Sequence, residues 1–373
     1  MLIQGLQLAY FRNYRRVDIS PAPVLNLLIG PNGQGKTNLI ESLYTLSVGH
    51  GFRAAKDRDL IYHGAEAARL KAIIQAEGSR RQLPLELAFN GHAKRWRLNG
   101  VSYRQLQDLP DRLLAVLFTP DDLAVVKGSP DERRRFLDRE LGLVNPGYDL
   151  ERRKYRKLLA QRNELLKDIR AGRAETGQLS VWDRNLAQSG ARLIADRLDF
   201  LRHLVPRARQ VHEHMARKAG FNITYQASLG AQVKNEGAED LERLFLEALA
   251  DQRQHDIRAG STSIGPHRDD LVFYASQEDL RTFGSQGQQR TAILALKLAE
   301  VDVIRQRCGS QPILLLDDVL SELDPIRQRL LLEAVVDQDL QTFISSTHLD
   351  LSHELFKNSK VFSVQEGNII PKG

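Results

Sequence analysis

The chain is predicted to be an α/β protein whose main sheet is drawn from two separated stretches. An antiparallel β subdomain lies in the first stretch, and an α-helical hairpin is inserted between the two. Three observations predict this. An apolar run, Val24-Leu25-Asn26-Leu27-Leu28-Ile29, leads into the Gly-rich segment Gly30-Pro31-Asn32-Gly33-Gln34-Gly35-Lys36-Thr37, after which Leu39, Ile40, Leu43 and Tyr44 recur at helical spacing. Far downstream a second apolar run, Ile313-Leu314-Leu315-Leu316, ends in Asp317-Asp318. Between them, Asp131 to about Arg170 is charged, nearly free of Gly and Pro, and helix-favouring.

The first segment fits G-x-x-x-x-G-K-[ST] at every fixed position, with a strand before it and a helix after it. Gly30, Gly33 and Gly35 permit backbone conformations and close approaches that a Cβ would block. The N–H groups of Pro31-flanked Asn32, Gln34 and the helix start through Asn38 then face phosphate oxygens at a positive helix end. Lys36 is expected to reach the β and γ phosphates of a nucleoside triphosphate, and the Thr37 hydroxyl to ligate Mg²⁺.

In chain order, residues 2–20 read as two short strands about the turn Tyr10-Phe11-Arg12-Asn13-Tyr14. Strands at 70–74 and 83–87 are separated by Gly78-Ser79, and Asn90-Gly91 and Asn99-Gly100 mark tight hairpin turns. Leu113 to Phe118 is a buried strand ending at Thr119-Pro120-Asp121-Asp122. Leu158, Leu165 and Ile169 are spaced by seven and four, and Trp182, Leu186, Leu193, Phe200 and Leu204 by four, seven, seven and four. These stripes predict two antiparallel helices joined by a polar loop, a short coiled-coil arm of roughly 40 Å at 1.5 Å per residue. Strands are expected at 270–274 and 342–346, a helix from Gln288 to about Arg307, and another begun by Asp324-Pro325, with Asp as cap and Pro in the first turn. The expected domains are an N-terminal lobe at 1–125, the helical insert at 126–255 and a C-terminal lobe at 256–373.

With 42% hydrophobic and 27% charged residues the composition is that of a soluble globular protein. No apolar run approaches the roughly 18 residues of a membrane helix, and the start has no signal-peptide pattern. A single cysteine, Cys308, provides neither an internal disulfide nor a thiolate metal cluster, so a cytoplasmic location is expected. The net charge of +6 suits a polyanionic partner without demanding one.

The second constellation completes the first. A carboxylate at a strand end beside a phosphate loop is where Mg²⁺ is held, which is the role expected of Asp317. Asp318, one step on, is placed to orient or deprotonate an attacking water. Gly284-Ser285-Gln286-Gly287-Gln288-Gln289 precedes a helix, either as a second anion site or as an ordinary capped helix start. His348 follows the last apolar strand in Ser346-Thr347-His348.

Phosphate loop, Ser285–Gln289 segment, Leu314–Asp318, Ser321-Glu322-Leu323-Asp324 and Thr347-His348 occur in the order seen in ABC-type ATPases, which the chain resembles. Phe11-Arg12-Asn13-Tyr14 near the start and the helical insert make it similar to the heads of SMC-like DNA-repair ATPases. Pro120-Asp121-Asp122-Leu123, Arg133-Arg134-Arg135-Phe136-Leu137-Asp138 and Gly265-Pro266-His267-Arg268-Asp269-Asp270 extend the likeness over the whole chain, toward the recombination-mediator branch.

The resemblance implies a split ABC-type ATPase head and an ATP-dependent homodimer sandwiching two ATP molecules. Ser285, Gly287 and Gln288 would meet the γ phosphate across the interface. Arg12 would touch the phosphates, and Asp318 and His348 would serve turnover. Asp318 stands where transporter relatives carry Glu, which suits slow, DNA-stimulated hydrolysis acting as a switch. Implied partners are single-stranded, gapped and duplex DNA, together with RecO and RecR, with RecA as the recombinase loaded. Arg133, Arg134, Arg135, Arg152, Arg153, Lys154, Arg156 and Lys157 are the densest basic clusters and the candidate phosphate contacts, although acids among them also suit a solvated helix face. A transporter ATPase subunit shares the nucleotide motifs but predicts a helical docking subdomain just before Ser285. An SMC-type tether would need longer arms.

Overall fold

The computed structural model describes residues 1–75, 81–235, 237–347, 356–357 and 359–372. The expected turn at Gly78-Ser79 and the expected catalytic residue His348 lie outside the described residues.

The chain forms two compact units, one of residues 1–122 with 300–373, the other of residues 123–299. The first opens with β1 (Leu2–Phe11), β2 (Tyr14–Ile19), β3 (Leu25–Ile29) and α1 (Lys36–Val48), then β4 (Ala68–Gln75), β5 (Gln82–Phe89), β6 (Lys94–Leu98), β7 (Val101–Tyr103) and β8 (Ala115–Phe118). The second holds α2 (Leu123–Lys127), α3 (Pro130–Val144), α4 (Pro146–Arg170), α5 (Leu179–Ala216), β9 (Phe221–Gln226), α6 (Ala238–Asp251), α7 (Arg253–Ala259), β10 (Asp270–Ala275) and β11 (Glu278–Asp279). Helix α8 (Gln286–Cys308) follows, and the first unit is completed by β12 (Ile313–Asp317), α9 (Pro325–Asp337), β13 (Thr342–Ser346), β14 (Lys360–Gln365) and β15 (Asn368–Lys372).

Two six-stranded sheets build the first unit. One, in the order β2-β1-β4-β5-β6-β7, is antiparallel throughout. Its strands alternate as a half-buried sheet should: in β4, Ala68, Leu70, Ala72 and Ile74 point inward. Asn99 and Gly100 both take positive φ, 49° and 84°, the backbone that a two-residue turn between β6 and β7 requires. The other sheet runs β15-β14-β3-β13-β12-β8, parallel from β14 to β8, with β15 added antiparallel at the edge. Its central strands β12 and β13 are buried at every position, which explains their unbroken apolar runs. Leu39, Ile40, Leu43 and Leu46 of α1 are fully buried in one core with residues of both sheets. Strand β3 is therefore anchored on both sides, and the loop that follows it springs from a rigid edge.

The second unit is mainly helical. Helix α4 has 25 residues, but α5 runs on to 38, roughly 57 Å at 1.5 Å per residue, its far end packing on β9 through Arg209 and His212 against Phe221. The buried stripe of α4 is Tyr148, Tyr155, Arg162 and Leu166, while Leu158, Leu165 and Ile169 are half-buried. The seam is thus rotated from the one the aliphatic spacing predicts, because it includes a charged residue. Arg162, fully buried, bonds Asp183 of α5 at 2.7 Å and Asp256 of α7 at 2.8 Å. Such an ion cluster holds three helices in register, since any displaced carboxylate would be left charged and dry.

Residues 256–299 pack with this unit, whereas the sequence placed the start of the C-terminal lobe at 256. The physical reason is pairing: β10 lies antiparallel to β9 over six residue pairs, so the chain must return to the sheet begun by the insert.

Candidate nucleotide-binding site

Strand β3 ends at Ile29 and α1 begins at Lys36, so Gly30–Gly35 form the connecting loop. A Cβ on Gly30 would lie 2.2 Å from the Val364 carbonyl oxygen of β14. Gly35 has φ 121°, and a Cβ there would meet the Asn13 and Tyr14 side chains at 2.7 and 2.9 Å. Both glycines are dictated by crowding behind the loop; Gly33 has open space but φ 79°. Pro31, Asn32 and Gly33 are exposed, and the Lys36 ammonium bonds the carbonyls of Gly30 at 2.7 Å and Pro31 at 2.8 Å. Burial pushes the Lys36 pKa down, against the opposing pull of Asp318 and Asp317.

The two carboxylates arrive where parallel pairing puts them. In register with β13, Asp317 lies opposite Ser345 at the end of β12. Its Oδ1 accepts from the Thr37 hydroxyl at 2.8 Å and from the Ser345 hydroxyl at 2.7 Å. The Arg53 guanidinium stands 3.7 Å from Oδ2. Asp317 is almost wholly buried, and a dehydrated carboxylate next to a hydroxyl on a phosphate loop is a hard-oxygen pair suited to Mg²⁺. Among the described residues no group of three or more His, Cys, Asp or Glu side chains gathers to hold a metal. Thr37 and Asp317 would therefore share the ion with phosphate oxygens, and the ion would supply charge neutralisation there.

Asp318 takes φ 54°, a left-handed backbone costing on the order of 1–3 kcal/mol for a residue with a side chain. Its N–H donates to the Ser345 hydroxyl at 2.9 Å. Its Oδ1 is buried with no hydrogen-bond partner among the described residues. A strained, half-buried acid with one buried, unused acceptor oxygen is the feature expected of a water-activating group.

Arg12, φ 53°, is held at the loop's flank by Glu41 of α1, with Nε to Oε2 at 2.7 Å, and by the Asp59 carbonyl at 2.7 Å. Glu41 is fully buried, and its second oxygen accepts from the Arg53 N–H at 2.9 Å. One carboxylate thus positions two arginines, the first a predicted phosphate contact and the second beside Asp317. The Asn38 side chain donates to Asn13 Oδ1 at 2.7 Å.

Ser285, Gly287 and Gln288 belong to the second unit. Ser285 N–H donates to Gln288 Oε1 at 2.8 Å, and Gln288 N–H to Ser285 Oγ at 3.3 Å, a reciprocal cap on α8. Both side chains are exposed. Arg133, by contrast, is buried in a bidentate pair with Asp270 at 2.6 and 2.8 Å, which removes it from the candidate phosphate contacts. Asp269 accepts from Ser228 and from Tyr225, and burial raises its pKa against those partners. The two motifs at 133–138 and 265–270 therefore lock one unit together.

A family model for the RecF/RecN/SMC N terminal domain matches residues 2–370. The chain belongs to this family. Among relatives of this RecF/RecN/SMC member, the DNA replication and repair protein RecF of Heliobacterium modesticaldum is 40% identical over 372 residues, 99% of either chain. RecF of Halalkalibacterium halodurans is 39% identical over 375 residues, the whole of both. Among solved structures, the recombination mediator protein RecF-ATPrS of the RecFOR pathway aligns with a TM-score of 0.89 at 28% identity, over 100% of this chain and 98% of the other. An SMC head bound to the C-winged helix domain of ScpA, 15% identical with a TM-score of 0.55, shares the fold. The architecture is that of an ABC-type ATPase head, mixed α/β with antiparallel sheets, as the sequence predicted.

Several site residues of this RecF/RecN/SMC member had no role assigned from the sequence, although Asn13 and Tyr14 stood in the Phe11–Tyr14 motif. Asn13 donates to the Gln34 carbonyl at 3.0 Å and Tyr14 to the Gly35 carbonyl at 2.8 Å, so the β1–β2 turn fastens the phosphate loop from behind. The Glu366 N–H donates to Gln34 Oε1 at 2.7 Å from the β14–β15 turn. Ser345 and Glu41 were likewise missed: a Ser in a strand and a Glu in a helix carry no local signal, and only the tertiary neighbours reveal them.

Proposed function

We propose that this chain is an ATP-switched DNA-binding recombination mediator. Two copies pair around two ATP molecules with Mg²⁺, Ser285, Gly287 and Gln288 of each copy meeting the γ phosphate held by the other's loop. The pair binds single-stranded and gapped or duplex DNA, acts with RecO and RecR to promote RecA loading, and is released by slow, DNA-stimulated hydrolysis. The observation that carries this reading is the direct link of Thr37 to Asp317 beside Lys36, in a chain matched over its full length by RecF proteins. The RecF-ATP and RecFOR names of the solved relatives supply the nucleotide and the pathway. The exposure of the Ser285–Gln288 cap supports a contact made with another molecule.

A transporter subunit is less well supported. The segment ahead of Ser285 is a small antiparallel sheet, β9–β10–β11, not a helical docking subdomain. Among the described residues no helix is long and apolar enough to cross a membrane.

The test is binding to gapped, single-stranded and blunt duplex DNA with and without ATP over a salt series. ATP is expected to tighten binding to gapped DNA and salt to weaken it, through release of counterions from neutralised phosphates. Affinity for DNA that is indifferent to ATP at every salt concentration would overturn the reading.

A further inference from the structure

The second unit contains a cleft of about 400 Å³ between α3, α4, α5 and the Pro266-His267 turn. Its charge is positive. Arg134, Arg135, Arg152, Arg156 and Arg197 line it with Asp131 and Asp138; with Glu132 and Asp149, which pair with Arg135 and Arg152, five positive charges meet four negative, an excess of one. Asp138 carries much of that load. Its Oδ1 accepts from Arg197 at 2.9 Å and from the Tyr148 hydroxyl at 2.6 Å. Its Oδ2 faces Arg152 at 3.6 Å and Arg156 at 3.8 Å. One carboxylate so divided leaves the Arg156 charge loosely compensated on the cleft side, while Arg134, Arg135 and Arg152 also bond Asp131, Glu132 and Asp149.

The arginines form a gradient from rim to floor. Arg135 and Arg156 are 66% and 63% exposed, Arg152 26% and Arg197 4%. Arg197 is fixed by the Pro266 carbonyl at 2.6 Å. At the floor His267 adds no charge at neutral pH: burial holds its pKa down to about 4. Guanidiniums are planar forks that match phosphate oxygens in pairs, and they bind best where water is partly excluded. A site of this volume takes one small ligand, not a duplex, since ligand pockets run from roughly 300 to 1,000 Å³.

We propose that this cleft is a second anion site that takes a phosphate monoester, carried by a free mononucleotide or by a polynucleotide end. A monoester brings about 1.5 to 2 negative charges at neutral pH and three terminal acceptor oxygens, one oxygen more for the guanidinium forks than a diester offers. A closed floor also admits a terminal group more readily than a chain continuing on both sides. The inference stands apart from the DNA-loading reading, because a free nucleotide alone would satisfy it.

The test uses the full chain carrying Lys36→Ala, which disables the phosphate loop. Calorimetry would compare thymidine monophosphate with thymidine, and a short oligothymidylate bearing a terminal phosphate with the same strand ending in hydroxyls. At least one phosphorylated ligand is expected to bind about tenfold more tightly than its hydroxyl counterpart, a difference near 1.4 kcal/mol. Arg152→Gln with Arg156→Gln should abolish that preference. Arg156→Gln alone, at an exposed position the fold tolerates, should reduce it with the thermal midpoint unchanged. Preference for the mononucleotide would name free nucleotide as the source, and preference for the oligonucleotide alone a strand end; both uphold the site. Equal binding of phosphorylated and hydroxyl ligands, no binding of any, or a preference that survives both substitutions overturns it.

Discussion

Thr37 donates its hydroxyl to Asp317 at 2.8 Å across 280 residues of sequence. The bond joins the end of the phosphate loop to the end of β12, and β13 sits between β3 and β12 to make the distance right. Because Ser345 donates to the same oxygen, three strands converge on one carboxylate.

Asp317→Asn should therefore uncouple magnesium from nucleotide binding. The amide cannot supply the charge that draws a divalent ion into a buried position. Affinity for ATP in excess Mg²⁺ is expected to fall at least about tenfold, ~1.4 kcal/mol, while affinity in chelator changes little. Fluorescent-nucleotide titration under both conditions checks it, and equal losses in the two would point to a distorted loop.

Asp318→Asn is expected to keep nucleotide binding and slow phosphate release by roughly 10²- to 10⁴-fold, the usual contribution of a positioned general base. Single-turnover hydrolysis is the measurement. Wild-type turnover would assign water activation to another group.

Ser285→Arg should spare ATP binding and prevent ATP-dependent pairing. Its side chain is exposed at the start of α8, so the fold should tolerate the larger residue. Sedimentation with ATP and Mg²⁺ decides: normal dimers would refute the assignment of Ser285 to the γ phosphate of the partner.

Arg12→Ala should destabilise the head by about 3 kcal/mol. It strands Glu41, which is fully buried and among the described residues otherwise holds only the Arg53 N–H by its other oxygen. Thermal unfolding should show the loss, and Arg12→Ala combined with Glu41→Gln should recover part of it. A midpoint that does not move would mean that water replaces the guanidinium.

The pH dependence of stability should carry the signature of His267. Its ordinary value is 6.5 and burial lowers it to about 4 in the fold, so the unfolded chain binds the extra proton between those values. Stability from this group is complete above about 6.5 and is lost as pH falls toward 4, up to roughly 3 kcal/mol in all. Denaturant midpoints from pH 7 to 4.5 should fall less steeply in His267→Gln, and an unchanged slope would exclude the residue as the cause.

The nucleotide site was legible because its two halves carry local signals. Gly30–Thr37 combines unusual backbone demands with a lysine, and Asp317-Asp318 breaks an apolar run. The loop's supports were not legible: Asn13, Tyr14, Glu41 and Ser345 are common residues whose partners lie far off in sequence. The arm shows the same limit. Aliphatic spacing pointed to Leu158, Leu165 and Ile169, but Arg162 occupies the seam because Asp183 and Asp256 neutralise it there. Likewise Arg133 read as a basic surface residue until Asp270 was found opposite it.

By itself the sequence determined the fold class, the phosphate loop, the strand-end acids and the helical insert, since each rests on periodicity or backbone chemistry within a short window. Only the tertiary structure decided which charges are spent inside the protein and which remain for a ligand. Charge pairing acts through space, and a guanidinium such as Arg133 or Arg156 is structural or available according to the carboxylate that the fold brings to it.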